Sequence, residues 1–253
     1  MVGMNEANPF SNQGRLRNSK LIHASTLIAQ AKEELTPEEV ALHDSVREFV
    51  LDKPHPCVGA QSAFRKDEYW LGQYASLGTE ESARALAEDL YEYTQEQIKH
   101  PKQFASFLAV FDGEVPEDEE SFERKLWATL GHLDKLSREK DFSWDPQVSD
   151  DPENPKFSFS FAGTAFYVVG MHKKSSRLSR QFEKPMLIFN LHRQFDELRA
   201  SGQYTRLRDT IRSRDKKLQG DNNPMLADFG DKSEARQYSG RQVGAEWKCP
   251  FHH

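Results

Sequence analysis

The chain of 253 residues has only two cysteines, Cys57 and Cys249. That is too few for a disulfide framework or for the roughly four ligands of a structural zinc site. No apolar run approaches the roughly 20 residues needed to span a bilayer. The first residues, MVGMNEANPFSNQGRLRNSK, lack the apolar centre of a secretory signal. The expectation is a soluble, cytoplasmic protein with reduced thiols and no membrane partner. A P-loop, GxGxxG, HExxH, G-x-S-x-G and an EF-hand loop are all missing, and there is no internal repeat. The hydrophobic fraction is 37% against 29% charged, which leaves room for one core and for long polar loops.

What is there begins with an uneven charge. Residues 1–155 hold 16 Lys and Arg against 30 Asp and Glu, a sum of −14, while residues 156–253 hold 18 against 10, a sum of +8. A basic half fits nucleic acid, a smaller anion such as a phosphate or a porphyrin carboxylate, or two faces that attract each other within one fold.

Residues 1–35 read as a loose arm, with a short helix in LIHASTLIAQA, and residues 36–253 as one domain. Thr36-Pro37-Glu38-Glu39 is a helix start: threonine caps, proline takes the first turn and glutamate bonds back. Val40, Val46, Phe49 and Val50 give that helix its apolar side. DKPHPCVGAQSAFRKDEYW reads as irregular; its His55 and Cys57 are weak as metal ligands, and a buried loop cysteine is the commoner outcome. From Thr79 a helical pattern runs through Leu86, Leu90, Tyr93 and Ile98 to His100-Pro101. FLAVF is a strand, and Phe122, Leu126, Leu130 and Leu133 mark another helix. Residues 141–156 form a long acidic loop in which Trp144 either lines a site or packs on a helix.

The stretch from Phe157 to Arg199 organises the rest. FSFSFAGTAFYVVGM reads as a hairpin broken at Ala162-Gly163, and Met186 to Asn190 as a further strand. His172 follows the first of these units and His192 the second, with Ser175, Ser176, Arg177 and Arg180 between them. Hydroxyl and guanidinium groups recognise carboxylates and phosphates through charge-assisted bonds. An imidazole beside such groups has the parts a haem pocket needs. Cys249, in WKCPF, is a thiolate alternative. Glu234, Arg236, Tyr238 and Arg241 form a cluster in which Glu234 suits pairing with a cationic guanidine, with a structural ion pair as the alternative. Helical stretches follow His192 and Tyr204, the second with Arg206, Arg208, Arg212 and Arg214 on its outer side. The turn-rich end carries Met225, Leu226, Phe229, Trp247 and Phe251, so it is expected to pack. The fold expected is α+β or α/β: one domain, a small, mostly antiparallel sheet flanked by helices, and a long irregular C-terminal segment over the site.

The pieces HPCVGA, FSFSFAGTAFYVVGMHKKSSRLSRQF, IFNLHRQFDELR, IRSRDKKLQGDNNPML, SEARQYSGR and WKCPF resemble the YqcI/YcgG family, from about Pro54 to Phe251. That family includes haem-dependent guanidine N-hydroxylases. The resemblance implies haem b, oxygen activation, an electron donor and a small guanidine- or amine-containing substrate, with a homodimer left open. Given haem, side-chain chemistry makes His172 the first choice of axial ligand, with His192 and Cys249 as alternatives. Ser176, Arg177 and Arg180 are assigned to the propionates, Ser175, His192 and Arg241 are further cofactor-binding residues, and Glu234 is assigned to the substrate cation. A haem sensor or carrier without turnover, and a nucleotide- or nucleic-acid-binding protein using the basic half, are the competing readings.

Overall fold

A computed structural model of the chain describes residues 7–11, 20–23 and 35–251. Six strands form one sheet: β1 (Lys20–His23), β2 (Tyr69–Tyr74), β3 (Ser106–Phe111), β4 (Phe159–Phe161), β5 (Thr164–Met171) and β6 (Met186–Leu191). Their order is β1-β2-β3-β6-β5-β4. β2 and β3 are parallel, with Tyr69 opposite Ser106, and the other four pairings are antiparallel. The parallel pair is joined by a helix, the crossover such a connection needs. The expected α+β architecture is the one observed.

The helices are α1 (Pro37–Leu51), α2 (Val58–Arg65), α3 (Glu80–Lys99), α4 (Glu119–Glu139), α5 (His192–Ala200), α6 (Tyr204–Gln219) and the short α7 (Ala235–Tyr238). β3 shows why they lie on both faces of the sheet. All six of its residues are buried, and alternate side chains enter different cores. Phe107, Ala109 and Phe111 meet Leu86, Leu90 and Tyr93 of α3 and Phe122, Leu126, Leu130 and Leu133 of α4. Leu108 and Val110 join Leu42, Val46 and Val50 of α1 and Phe64 of α2 on the other side.

Local signals place most of the boundaries. Thr36 and Glu39 form the capping box, with proline in the first turn of α1. The β4–β5 hairpin turns through Ala162 (φ 48°) and Gly163 (φ 75°), the left-handed pair that matches the twist of two antiparallel strands. Several expectations are corrected. The stretch read as irregular contains α2, whose first turn is capped by the Cys57 sulfur accepting the Ala60 N–H at 3.4 Å, and leads into β2. Within the supposed loose arm, Lys20–His23 pairs along β2 and Phe10 is buried against Tyr91, Phe142 and Phe161. Leu21–His23 is therefore strand, not helix, and the rest of LIHASTLIAQA lies outside the described residues. Ile98, expected on the inner face of α3, is 52% exposed, because the helix outlasts the core near its end. Trp144 packs on Phe157, Phe159 and Phe251 at the edge of the larger core. The C-terminal segment is packed, with Tyr238, Val243, Cys249 and Phe251 buried.

Ala162 is a side-chain-bearing residue in a left-handed position, which costs roughly 1–2 kcal/mol. Ala162→Asn, which makes the favoured Asn-Gly turn, should raise the unfolding free energy by roughly 0.5–1 kcal/mol. The check is the urea midpoint at unchanged slope.

Candidate active site

The residues expected to form one clamp fall into three places. His172, directly after β5, is fully buried and lies flat on Phe122 with ring centres 4.2 Å apart. Neither of its ring nitrogens has a hydrogen-bond partner. Burial drops its pKa to about 4 despite Glu119 nearby. Of the expected acid-binding groups, Arg177 is taken up by Asp215 and Asp221, each at 2.5 Å. Both the backbone N–H and the hydroxyl of Ser176 donate to Glu119 at 2.7 Å. The Ser175 hydroxyl accepts the Arg177 N–H at 3.3 Å. Arg241 pairs with Glu123, which also accepts from Ser239 and the Trp247 indole. Among these arginines, Arg180 alone meets no carboxylate among the described residues: its Nη1 donates to the backbone carbonyls of Gly170 and Tyr238.

The second place is formed by His192 and Glu234, 42 positions apart in sequence and buried side by side. His192 is the first residue of α5, immediately after β6, and Asp196 lies one helical turn on. Their side chains meet, with Nδ1 3.1 Å from Asp196 Oδ2. Arg199 in turn holds Asp196 at 2.7 Å and lies over the Tyr204 and Phe229 rings. A carboxylate on Nδ1 fixes that nitrogen as the donor and leaves the lone pair on Nε2. Nε2 has no hydrogen bond, lies 3.9 Å from Glu234 Oε1, and the ring meets Phe229 edge-on.

Glu234 is held from its other oxygen. The Ser158 hydroxyl donates to Oε2 at 2.8 Å, and the Tyr238 hydroxyl lies 3.3 Å away. Those two donors and the positive Arg199 favour the carboxylate, but burial outweighs them and raises the pKa to about 8. At neutral pH Glu234 is therefore mainly a neutral acid. Burial likewise lowers the His192 pKa against the pull of Asp196. The result is a neutral acid facing a neutral imidazole, and burial disfavours the ion pair that proton transfer between them would create.

Cys249 is the third place. It is buried, with its backbone N–H on Glu153, and burial outweighs the pull of Arg236 and pushes its thiol up to about 12. A thiol of that kind is not a ready thiolate.

Haem asks for an imidazole nitrogen with nothing else bound and, usually, a partner holding the ring's other nitrogen. His192 meets both requirements. His172 has no hydrogen-bond partner on either ring nitrogen to orient it, and of the two arginines beside it Arg177 is committed to Asp215 and Asp221. The residues present fit haem at His192 better than at His172 or Cys249. Asp196 and Ser158 were missed in the sequence; Asp196 was legible as the i+4 neighbour of His192, whereas Ser158 was visible only as one polar residue in an aromatic strand.

The YqcI/YcgG family matches residues 46–252. The chain belongs to the YqcI/YcgG family. Two Bacillus subtilis (strain 168) proteins, both described as uncharacterized, are among its relatives. YcgG is 28% identical over 247 residues, covering 91% of this chain and 94% of its own length. YqcI is 25% identical over 241 residues, covering 91% and 89%. No solved structure matches. Among the described residues, no helix of this YqcI/YcgG-family chain is long and apolar enough to cross a membrane.

The state of Glu234 has a thermodynamic consequence. Its folded pKa, about 8, lies above the ordinary 4.5, so its favourable contribution is complete below the unfolded value. That contribution is lost as pH rises towards 8, at up to about 1.4 kcal/mol per pH unit. Glu234→Gln removes the dependence. Its stability relative to wild type should therefore climb between pH 5 and pH 8 in paired denaturation curves; a constant difference would mean that Glu234 is already ionised.

Proposed function

We propose that this chain is a haem-dependent oxygenase that places an oxygen atom on a nitrogen of a small guanidine or amine. The observation that carries the reading is the His192 imidazole, with Nδ1 held by Asp196 and a buried, unbonded Nε2. The resemblance to guanidine N-hydroxylases supplies the substrate class and the need for an electron donor. Haem b, when bound, supplies the iron at which oxygen is activated.

The chain's own residues then have definable tasks. His192 Nε2 is the nitrogen that would hold the metal, and Asp196 sets the tautomer that leaves it free. Negative charge at Asp196 makes the imidazole a stronger donor. Glu234 lies 3.9 Å from the same nitrogen. Beside the nitrogen that would hold the metal, Glu234 would control the charge next to the imidazole. Kept neutral by burial, it adds no second negative charge next to Asp196. Ser158 and Tyr238 hold it in place. Phe229 closes one side of the imidazole and excludes water there.

The nucleic-acid reading loses its main support in the ion pairs. On α6, Arg208 and Arg212 share Asp228, and Arg214 donates to Gln61 of α2. Acidic and basic halves also meet through Glu123–Arg241 and Asp112–Lys184. These basic groups are paired with the fold's own carboxylates and amide, which leaves less positive charge for a phosphate-binding face.

Titration of the purified chain with hemin should give a saturating Soret band at one haem per chain. His192→Ala should weaken binding by at least about tenfold, the equivalent of about 1.4 kcal/mol, while His172→Ala and Cys249→Ala keep the band. A band unchanged by His192→Ala would overturn the ligand assignment, and no band at all would overturn the reading. With a reductant and oxygen, a guanidine and amine panel should give an N-hydroxylated product that depends on His192.

A further inference from the structure

One buried charge has no counterpart in the scheme above. Arg180 is 7% exposed, lies beside the fully buried His172, and their backbones are joined by the His172 N–H donating to the Arg180 carbonyl at 3.0 Å. A guanidinium offers donors on two edges. Arg180 uses Nη1 for the carbonyls of Gly170 at 3.3 Å and Tyr238 at 3.0 Å. Nε and Nη2, the parallel pair that grips a carboxylate with two bonds, have no partner among the described residues. No carboxylate among them lies within ion-pair distance of Arg180, whereas its neighbour Arg177 is matched by Asp215 and Asp221.

Asp215 and Glu119 act on Arg180 only from beyond ion-pair distance, and a buried cation without a carboxylate in contact is costly. Two further observations concern the space around it. A Cβ on Gly240 would stand 2.7 Å from Arg180 Cδ and 3.2 Å from Nε, so the chain passes the guanidinium at a distance only glycine allows. His172, 0% exposed, carries two ring nitrogens without partners and is near enough for Arg180 to act on its titration.

We propose that Arg180, with His172 beside it and residues 238–240 closing over it, is a binding site for one small carboxylate. The Nε–Nη2 edge donates two bonds to its two oxygens, and the anion supplies the charge the guanidinium lacks. Such a site takes an acid the size of formate or acetate, or the carboxylate end of a small organic acid. It is independent of the haem reading, because Arg180 and His172 lie outside the His192–Glu234 pair. A porphyrin propionate offers the same carboxylate chemistry, so the test separates the two sources.

The test is thermal unfolding of the full chain, free of haem, in potassium formate, acetate and phosphate against chloride at matched ionic strength. Formate or acetate should give a saturable rise of several degrees that Arg180→Met abolishes. Arg180→Lys, which keeps the charge but loses the fork, should reduce it and serves as the reading should the methionine variant fail to fold. The imidazole nitrogen signals of His172 should move on adding acetate to wild type. No rise beyond chloride, or a rise with phosphate alone, overturns the assignment. So does stabilisation by hemin only, with the Soret band lost in Arg180→Met, which would make the edge part of the haem grip. Retention of that band in Arg180→Met beside the acetate effect supports a separate site.

Discussion

The open edge of β5 is the constraint from which the rest follows. β4 has three residues and pairs only with Thr164, Ala165 and Phe166, so the remainder of β5 has no outer strand partner. Unpaired backbone groups at a buried edge must be satisfied by something. Here side chains do it. The Tyr238 hydroxyl enters where the ladder ends, accepting the Phe159 N–H at 2.9 Å and lying 3.2 Å from the Phe166 carbonyl. The Ser158 hydroxyl lies 3.1 Å from that carbonyl, and Arg180 donates to the carbonyl of Gly170. Covering the edge brings polar and charged groups into an aromatic interior, and both proposed sites draw residues from it.

Burial then decides what those groups are. Glu234 follows Tyr238 into the interior, loses water, and becomes a neutral acid beside an imidazole that is neutral for the same reason. His192 is placed there by different means: β6 ends, α5 begins, and Asp196 one turn later fixes the ring. One side of the pair comes from the central hairpin region and the other from the last 35 residues, so the pair exists only when the C-terminal segment is docked. Glu123 anchors that segment, accepting from Ser239, Arg241 and Trp247 at once.

The sequence was most informative where local rules act alone. The Thr36 capping box, the Ala162-Gly163 turn and the α4 stripe from Phe122 to Leu133 follow from spacing and backbone preference. The α2 helix was hidden because its cap is a cysteine sulfur, an uncommon acceptor, and its eight residues are too few to show a period. Within the site, His192 and Glu234 were both legible as candidates, but nothing in spacing along the chain brings positions 192 and 234 together. Spacing could not sort the arginines of the basic run after His172: Arg177 looks as free as Arg180 until its partners are known. Asp215 and Asp221, which neutralise Arg177, stand about 40 positions away on and after α6.

If the β5 edge depends on the inserted phenol, then Tyr238→Phe is the change that exposes it, since it deletes one oxygen and keeps the ring packing on Trp127. Amide exchange of Phe159 measures this directly. The account predicts at least roughly tenfold faster exchange at Phe159 in the variant, from loss of one buried hydrogen bond of about 1.4 kcal/mol, with β3 unaffected. Equal exchange at Phe159 in both proteins would contradict it.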